Sequence, residues 1–350
     1  MRHELLPESL PERPAPSNVW TDLHARLHRT LRQRKLLEPM ARLLVAVSGG
    51  QDSLCLIKLL IDLQVLWQWE LAIVHCNHGW REDATANADW VAKLAQDWQL
   101  PFFLETATTP PTSEAAARDW RYQCFATLAE RHYYPYVLTA HTQSDRAETL
   151  LYNLIRGSGA EGLQALTWVR PLSPQVQLVR PLLEFSRQET GEFCQQQQLR
   201  VWEDESNRSL DYARNRIRLE LIPYLQTHFN PQVEQALAQT AELLRADIEY
   251  LDAVTEVLRK RATLPIEAPQ QQAVIDRLLL RTAPLTLQRR VVRQILQQVL
   301  PSTPSYQHVE KILFLCHAPN KSQTDPLPGG TIAVVEADRI YLLKPASPSD

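Results

Sequence analysis

Three observations predict an α/β fold in which a parallel sheet is covered by helices on both faces, followed by a smaller helix-rich C-terminal domain. Short apolar runs alternate with longer helical patterns, the first such run ends in two consecutive glycines, and the alternation stops near Pro231. Strands alternating with helices are the pattern of parallel sheets, whose strands are buried on both faces and read as continuous apolar runs.

The elements follow in order. Residues 1–20 are proline-rich and lack apolar periodicity, which predicts a disordered extension. Leu23, Leu27 and Leu31 recur every four residues and predict an amphipathic helix leading into the fold. Strands are expected at 43–47, 71–76, 102–106 and 136–140, with helices at 52–67, 82–98, 113–131 and 144–156 between and after them. The catalytic domain is placed at 21–230, and 231–350 is read as a helical linker and C-terminal domain. Within the latter, 233–262 predicts one or two long helices, 271–281, 285–300 and 306–317 further helices, and 331–336 with 339–344 a hairpin turning at Ala337-Asp338. Open parallel sheets bind ligands beyond the carboxyl ends of their strands, which puts the chemistry at Ser48, near His75 and near His141.

Bulk properties narrow the function classes. The composition, 44% hydrophobic and 22% charged, is that of a globular protein. No apolar run approaches the ~20 residues of a membrane helix, and no leader pattern opens the chain, so a cytoplasmic protein with no membrane partner is expected. The five cysteines form no C-x-x-C pair, which argues against structural zinc and a disulfide framework. A net charge of -3 gives no global attraction for nucleic acid, so RNA contact requires a local basic surface.

Glycine is scarce, at nine residues, and six of them (49, 50, 79, 157, 159 and 162) lie in three loops. In Ser48-Gly49-Gly50-Gln51-Asp52-Ser53 a strand ends in two residues without side chains, so backbone N–H groups at a helix N-terminus can approach an anion. Hydroxyls of Ser48 and Ser53 can add donors. The Walker lysine is absent, and with it the usual machinery for γ-phosphate transfer. Gly157-Ser-Gly-Ala-Glu-Gly162 matches the spacing of a dinucleotide fingerprint but follows a helical pattern rather than a strand, so it reads as a helix C-cap and a substrate-facing loop. Asp52 opens a helix, where a carboxylate either caps the helix or holds Mg²⁺ on a pyrophosphate; metal or substrate contact is preferred. His141 and Asp145 lie four residues apart, so if the helix begins that early they share a face, and Glu148 continues the row; the alternative is a helix N-terminus enriched in acids for its dipole.

The 48–53 loop resembles the PP-loop of the ATP pyrophosphatase superfamily, of the adenine nucleotide alpha hydrolase-like fold. That resemblance implies cleavage of ATP between its α and β phosphates. Val-His-Cys-Asn-His-Gly-Trp-Arg at 74–81, Ala-His-Thr-Gln-Ser-Asp-Arg-Ala-Glu-Thr at 140–149 and Leu-Ile-Arg-Gly-Ser-Gly-Ala-Glu-Gly-Leu at 154–163 add to it. With Asp-Glu-Ser-Asn at 204–207 and Tyr-Ala-Arg-Asn-Arg-Ile-Arg at 212–218, they resemble the tRNA(Ile)-lysidine synthase family over roughly 43–231. Many members carry paired acids before a glutamine where this chain has Ser144-Asp145-Arg146.

The resemblance implies an enzyme, an AMP-forming carbon–nitrogen ligase. It would adenylate the carbon-2 oxygen of the wobble cytidine of isoleucine tRNA and let free lysine displace AMP, giving lysidine. ATP and Mg²⁺ are the implied cofactors, with Mg²⁺ on Asp52. Asp52, His141, Asp145 and Glu148 are the implied catalytic residues. Ser48, Gly49, Gly50, Gln51, Asp52, Ser53, Asn77, His78 and Arg81 are implied for the nucleotide. The tRNA would meet Arg118, Arg121, Arg156, Gly157, Arg208, Arg214 and Arg216, and a homodimer is compatible with the sequence. Two alternatives stand beside this reading: another PP-loop tRNA-modifying or amide-forming synthetase, and a non-catalytic RNA-binding protein that retains the nucleotide loop.

Overall fold

The computed structural model describes residues 20–80, 82–202 and 209–344. The chain divides into two compact units, Met1–Leu244 and Arg245–Asp350.

The first unit begins with α1 (Asp22–Gln33), β1 (Arg42–Ala46), α2 (Gln51–Trp67), β2 (Glu70–Asn77), α3 (Ala84–Asp97) and β3 (Phe102–Thr106). It continues with α4 (Glu114–Arg131), β4 (Tyr136–Leu138), α5 (Gln143–Ile155), α6 (Ala160–Leu163), β5 (Val169–Pro171), β6 (Gln177–Val179) and α7 (Arg187–Gln196). Short α8 (Ala213–Arg216), a π-helical turn (Ile217–Leu221) and α9 (Ile222–His228) lead to the long α10 (Val233–Ala262), within which the division falls.

The six strands are ordered β3-β2-β1-β4-β6-β5, parallel except for β5, which runs antiparallel to β6. The alternation of side chains along β1 explains its two-sided burial. Leu43 and Val45 pack into a core that includes Leu56, Leu60 and Leu63 of α2, whereas Leu44 joins Ala72, Val74, Phe125 and Leu128 on the opposite face. Successive connections lead from β1 to β2 and β3 on one side and then to β4 on the other, so the crevice between β1 and β4 is a topological switch point. The loops after these two strands carry Ser48 and His141.

Two of the six strands are absent from the sequence expectation. Strands β5 and β6 are three residues each and lie among Pro171, Pro174 and Pro181, too short to show a period. The match between Gly157–Gly162 and the dinucleotide fingerprint resolves as expected. Helix α5 precedes it, Gly157 takes a left-handed φ of 74° just past the helix end, and Gly159 caps α6.

The second unit contains β7 (Thr263–Leu264), β8 (Gln271–Asp276), α11 (Arg277–Thr282), α12 (Leu285–Val299), α13 (Tyr306–Leu315), β9 (Ile332–Glu336) and β10 (Arg339–Leu343). Its sheet is ordered β7-β8-β10-β9, and β9–β10 form the expected hairpin. The helix expected at 271–281 is instead a strand followed by a short helix. Ala273-Val274-Ile275 are buried against β10, and the Asp276 carboxylate then accepts the Leu279 N–H at 2.9 Å to cap α11. Among the described residues no helix is long and apolar enough to cross a membrane.

Candidate active site

The loop after β1 is fixed by its own polar groups. The Ser48 N–H donates to Ser53 Oγ at 3.2 Å, Ser53 Oγ donates to the Gly50 carbonyl at 2.8 Å, and the Gly50 N–H donates to Ser48 Oγ at 3.3 Å. Both serine hydroxyls, expected as phosphate donors, here staple the loop internally. Gly49 has φ +93°, and a Cβ on it would lie 2.7 Å from Asn87 Oδ1. Asn87 Nδ2 donates to the Ser48 carbonyl at 3.0 Å, and the Trp202 N–H donates to the Gly49 carbonyl at 3.0 Å. These two contacts from outside the loop add to its internal bonds. Gly50, at the N-cap of α2, brings no side chain to the first-turn amides, so they remain for an anion, with the helix dipole in support.

Asp52 sits in that first turn. The Thr190 hydroxyl donates to Asp52 Oδ1, and the Arg187 guanidinium lies 3.8 Å from Oδ2. Gln51 fixes the same junction by donating Nε2 to the Arg187 carbonyl at 2.6 Å. Burial pushes the Asp52 carboxyl above its ordinary range; Arg187 opposes this and the nearby Asp145 adds to it. A desolvated carboxylate beside a second carboxylate, next to uncapped helix amides, is chemistry that a divalent cation on phosphate oxygens would relieve. Among the described residues no group of three or more His, Cys, Asp or Glu is assembled for a metal. Mg²⁺ typically takes one or two carboxylates and completes its shell with phosphates and water, and the Asp52 carboxylate is a donor of that kind.

The loop after β4 brings the second set. Thr142 caps α5 by accepting the Asp145 N–H at 3.3 Å, and Asp145 Oδ2 accepts the Thr142 N–H at 2.7 Å, a reciprocal capping box. Capping and chemistry are therefore both open to Asp145, since Oδ1 faces Arg218 at 3.6 Å and the side chain lines the central cavity. His141 Nδ1 and Thr139 Oγ are 2.9 Å apart. Burial, then Arg180, hold the imidazole well below its ordinary value against the pull of Asp145, so His141 is neutral at pH 7. Burial alone would raise the Asp145 carboxyl, but the His141 ring, the Thr142 amide, Arg187 and Arg218 outweigh it and hold the carboxyl low. With the imidazole neutral, the amide and the two guanidiniums are the partners that keep Asp145 ionised.

One cavity of about 240 Å³ is lined by Ser48, Asp52, Ser53, Arg118, His141 and Asp145, together with Arg121, Tyr122 and Arg214. The structure therefore brings Asp52, His141 and Asp145 together. Glu148, expected in the same row, is not in that lining. It is buried, and Arg218 grips both its oxygens at 2.6 and 2.8 Å. A second cavity, about 500 Å³, shares Ser48 and Arg121 and adds His75, Asn77, His78, Trp80 and Asn87. There Asn77 Oδ1 accepts the Gly79 N–H at 2.8 Å, and the His78 ring meets Trp80 and Trp120 edge-on. A third, open groove of about 1010 Å³ carries Arg118, Tyr122, Tyr152, Arg156, Arg170 and Arg180, with Tyr212 and Arg214.

The remaining expected residues are dispersed. Arg216 donates to the Leu210 carbonyl at 2.7 Å and braces its own loop, while a Cβ built on Gly157 would meet nothing within 4 Å. Arg81, Arg208 and the 204–207 segment lie outside the described residues. Sequence reasoning missed Arg170, Arg180, Arg187 and Thr190 as members of the site or its supports. Arg170 lies within the short strand β5 and Arg180 directly after β6, and the Arg-Pro dipeptides 170–171 and 180–181 were the available signal. Burial would raise the Tyr122 phenol, but Arg118 and Arg180 outweigh it and bring it down to about 8.

Comparison with known proteins identifies similar family models, relatives and a solved structure. A family model described as a PP-loop domain matches residues 21–225, and one described as the TilS substrate binding domain matches 256–341. The chain is 58% identical over 333 residues to the tRNA(Ile)-lysidine synthase of Nostoc sp. (strain PCC 7120), covering 93% of this chain and 97% of that protein. It is 52% identical to the protein of that name from Synechocystis sp. (strain PCC 6803), covering 91% and 97% respectively. A chloroplastic protein of that name from Zygnema circumcarinatum is 34% identical, covering 83% and 79%. Among solved structures, the U34-tRNA thiolase NcsA from Methanococcus maripaludis superimposes with a TM-score of 0.54 at 16% identity, over 63% of this chain and 77% of that one, which shows a shared fold only.

Proposed function

The chain belongs to the tRNA(Ile)-lysidine synthase family, and from that premise we propose how its residues ligate lysine to carbon 2 of the wobble cytidine of isoleucine tRNA. The observation that carries the reading is the convergence of the 48–53 loop, Asp52, His141 and Asp145 on one cavity at the switch point, opening beside a groove of arginines and tyrosines. ATP lies with its phosphates over the uncapped amides of α2 and its nucleoside in the cavity bounded by Asn77 and His78. Asp52 would hold Mg²⁺, which when bound would supply positive charge against the departing pyrophosphate.

The reaction then has two displacements. The cytidine O2 attacks the α-phosphorus, the α–β bridging bond breaks, and pyrophosphate leaves. The ε-amine of lysine next forms the C2–N bond, and the C2–O2 bond breaks, so that AMP carries away the original O2. Adenylation comes first because a cytosine carbonyl is a poor electrophile until its oxygen can leave as a phosphate ester. Lysine must shed a proton, since a free amine of pKa ~10.4 is almost wholly protonated at neutral pH. Asp145, held ionised, binds and orients the ammonium. The neutral His141 imidazole in the same cavity offers a ring nitrogen that orients the amine; held below its ordinary basicity it is a weak base, and the proton passes to water. Arg118, Arg156, Arg170 and Arg214 meet phosphates, and Tyr122, Tyr152 and Tyr212 offer faces to unstacked bases, as single-stranded RNA recognition requires. A cytoplasmic site of action fits a tRNA substrate.

The test is to incubate the protein with labelled lysine, ATP, Mg²⁺ and an isoleucine tRNA transcript whose wobble base is cytidine. Label in RNA together with AMP is expected, and a transcript with uridine at that position should take up none. AMP formed without lysine in RNA would assign the chain to another PP-loop synthetase.

A further inference from the structure

Asp145 lies on α5 between two residues that turn away from the cavity, and both are tied to α10. Ser144 Oγ donates to Glu234 Oε2 at 2.6 Å and accepts the Arg187 N–H at 3.2 Å. Arg146, only 2% exposed, donates Nη2 to Glu242 Oε2 at 2.7 Å. Glu242 is itself held from two further directions. It accepts the Trp168 indole N–H at 3.1 Å and Arg34 Nη1 at 2.9 Å, and the Arg34 guanidinium lies 4.1 Å over the Trp168 ring. Ser144 and Arg146 are the positions at which the chain departs from the paired-acid and glutamine pattern noted above.

Successive helix residues are turned by about 100°, so anchors at 144 and 146 grip α5 at points about 200° apart, with 145 between them. One anchor would leave the helix free to roll; two such anchors fix its rotation. The consequence at the cavity is large, because a roll of ~20° moves a group at the edge of a helix roughly 10–12 Å across by about 2 Å. A misplacement of ~1 Å can cost on the order of 100-fold in rate.

We propose that Glu242 and Glu234 of α10 are positioning residues for the reaction, acting through Arg146 and Ser144 to set the rotation of α5 and so the aim of Asp145 into the cavity. This deepens the proposed function and rests on it insofar as Asp145 takes part in the chemistry. A pair serving only stability would lower the unfolding temperature without regard to Asp145, whereas a positioning pair loses its effect once the carboxylate it aims is gone.

The experiment is a double-mutant cycle in the full chain. Single-turnover lysine incorporation and AMP formation are measured for wild type, Glu242→Gln, Asp145→Asn and the two combined, beside thermal unfolding. Glu242→Gln should slow wild type tenfold or more and slow Asp145→Asn by less than about twofold. Multiplicative losses, or no loss from Glu242→Gln, would overturn the proposal. Because that variant leaves the Arg146 guanidinium buried without its carboxylate, Arg146→Gln with Glu242→Gln is run in parallel, removing both charges. This pair should show the same dependence on Asp145, and failure of both variants to fold would mark the contact as structural only and defeat the proposal. Wild-type AMP formation without lysine in RNA sinks the functional reading alone, since AMP formation still reports on the helix.

Discussion

Asp52→Ala is expected to lower AMP formation by about 10³-fold or more, roughly 4 kcal/mol of barrier, while tRNA retention on a filter changes by less than about threefold. The asymmetry follows from where Asp52 sits. Its carboxylate is in the first turn of α2, held by Thr190 and Arg187, and lines the cavity next to the uncapped amides. Asp52 does not line the groove of arginines, although Arg118, Tyr122 and Arg214 line both the groove and the cavity. Initial rates of AMP release together with filter binding of the transcript check both halves, and near-normal turnover would remove Asp52 from the chemistry.

Gly49→Ala is expected to be the second severe change. At φ +93° an L-residue is strained by about 1–3 kcal/mol, and the new Cβ would lie 2.7 Å from Asn87 Oδ1, which cannot give without releasing the Ser48 carbonyl. A loss of about 2 kcal/mol corresponds to a fall of roughly 4–8 °C in Tm for a unit of this size. AMP formation should drop on the order of 10²-fold, because the misplaced amides no longer meet the phosphates. Calorimetry and the same rate assay decide it. An unchanged Tm and rate would show that the loop does not need the left-handed turn.

The parts of the molecule legible in the sequence are those whose cause is local. The run of residues 43–47 ends in Gly49-Gly50 before a leucine-rich helix, and a strand, a turn with positive φ and a helix N-terminus follow from that order alone. His141 precedes the extended Thr142 N-cap, so it shares no helical face with Asp145; the two line one cavity because both lie at the junction of β4 and α5. What was not readable depends on the tertiary fold. Glu148 has the spacing of a site residue but is claimed by Arg218, seventy positions away. Thr190 and Arg187 reach Asp52 from α7 only because α7 docks on α2. Strand β8 carries glutamines and an arginine-leucine run after it that mimic a helical period, and pairing with β10 overrides that local preference. At Asp145 one carboxylate oxygen takes the Thr142 amide while the other faces Arg218, a division that spacing alone does not show.

The fate of the terminal phosphate tests most directly whether the loop at 48–53 holds a diphosphate leaving group rather than assisting γ-phosphoryl transfer. With ATP labelled at the γ position and the cytidine-containing transcript present, the label should leave as pyrophosphate, with AMP formed in equal amount. Labelled orthophosphate accompanied by ADP would contradict it.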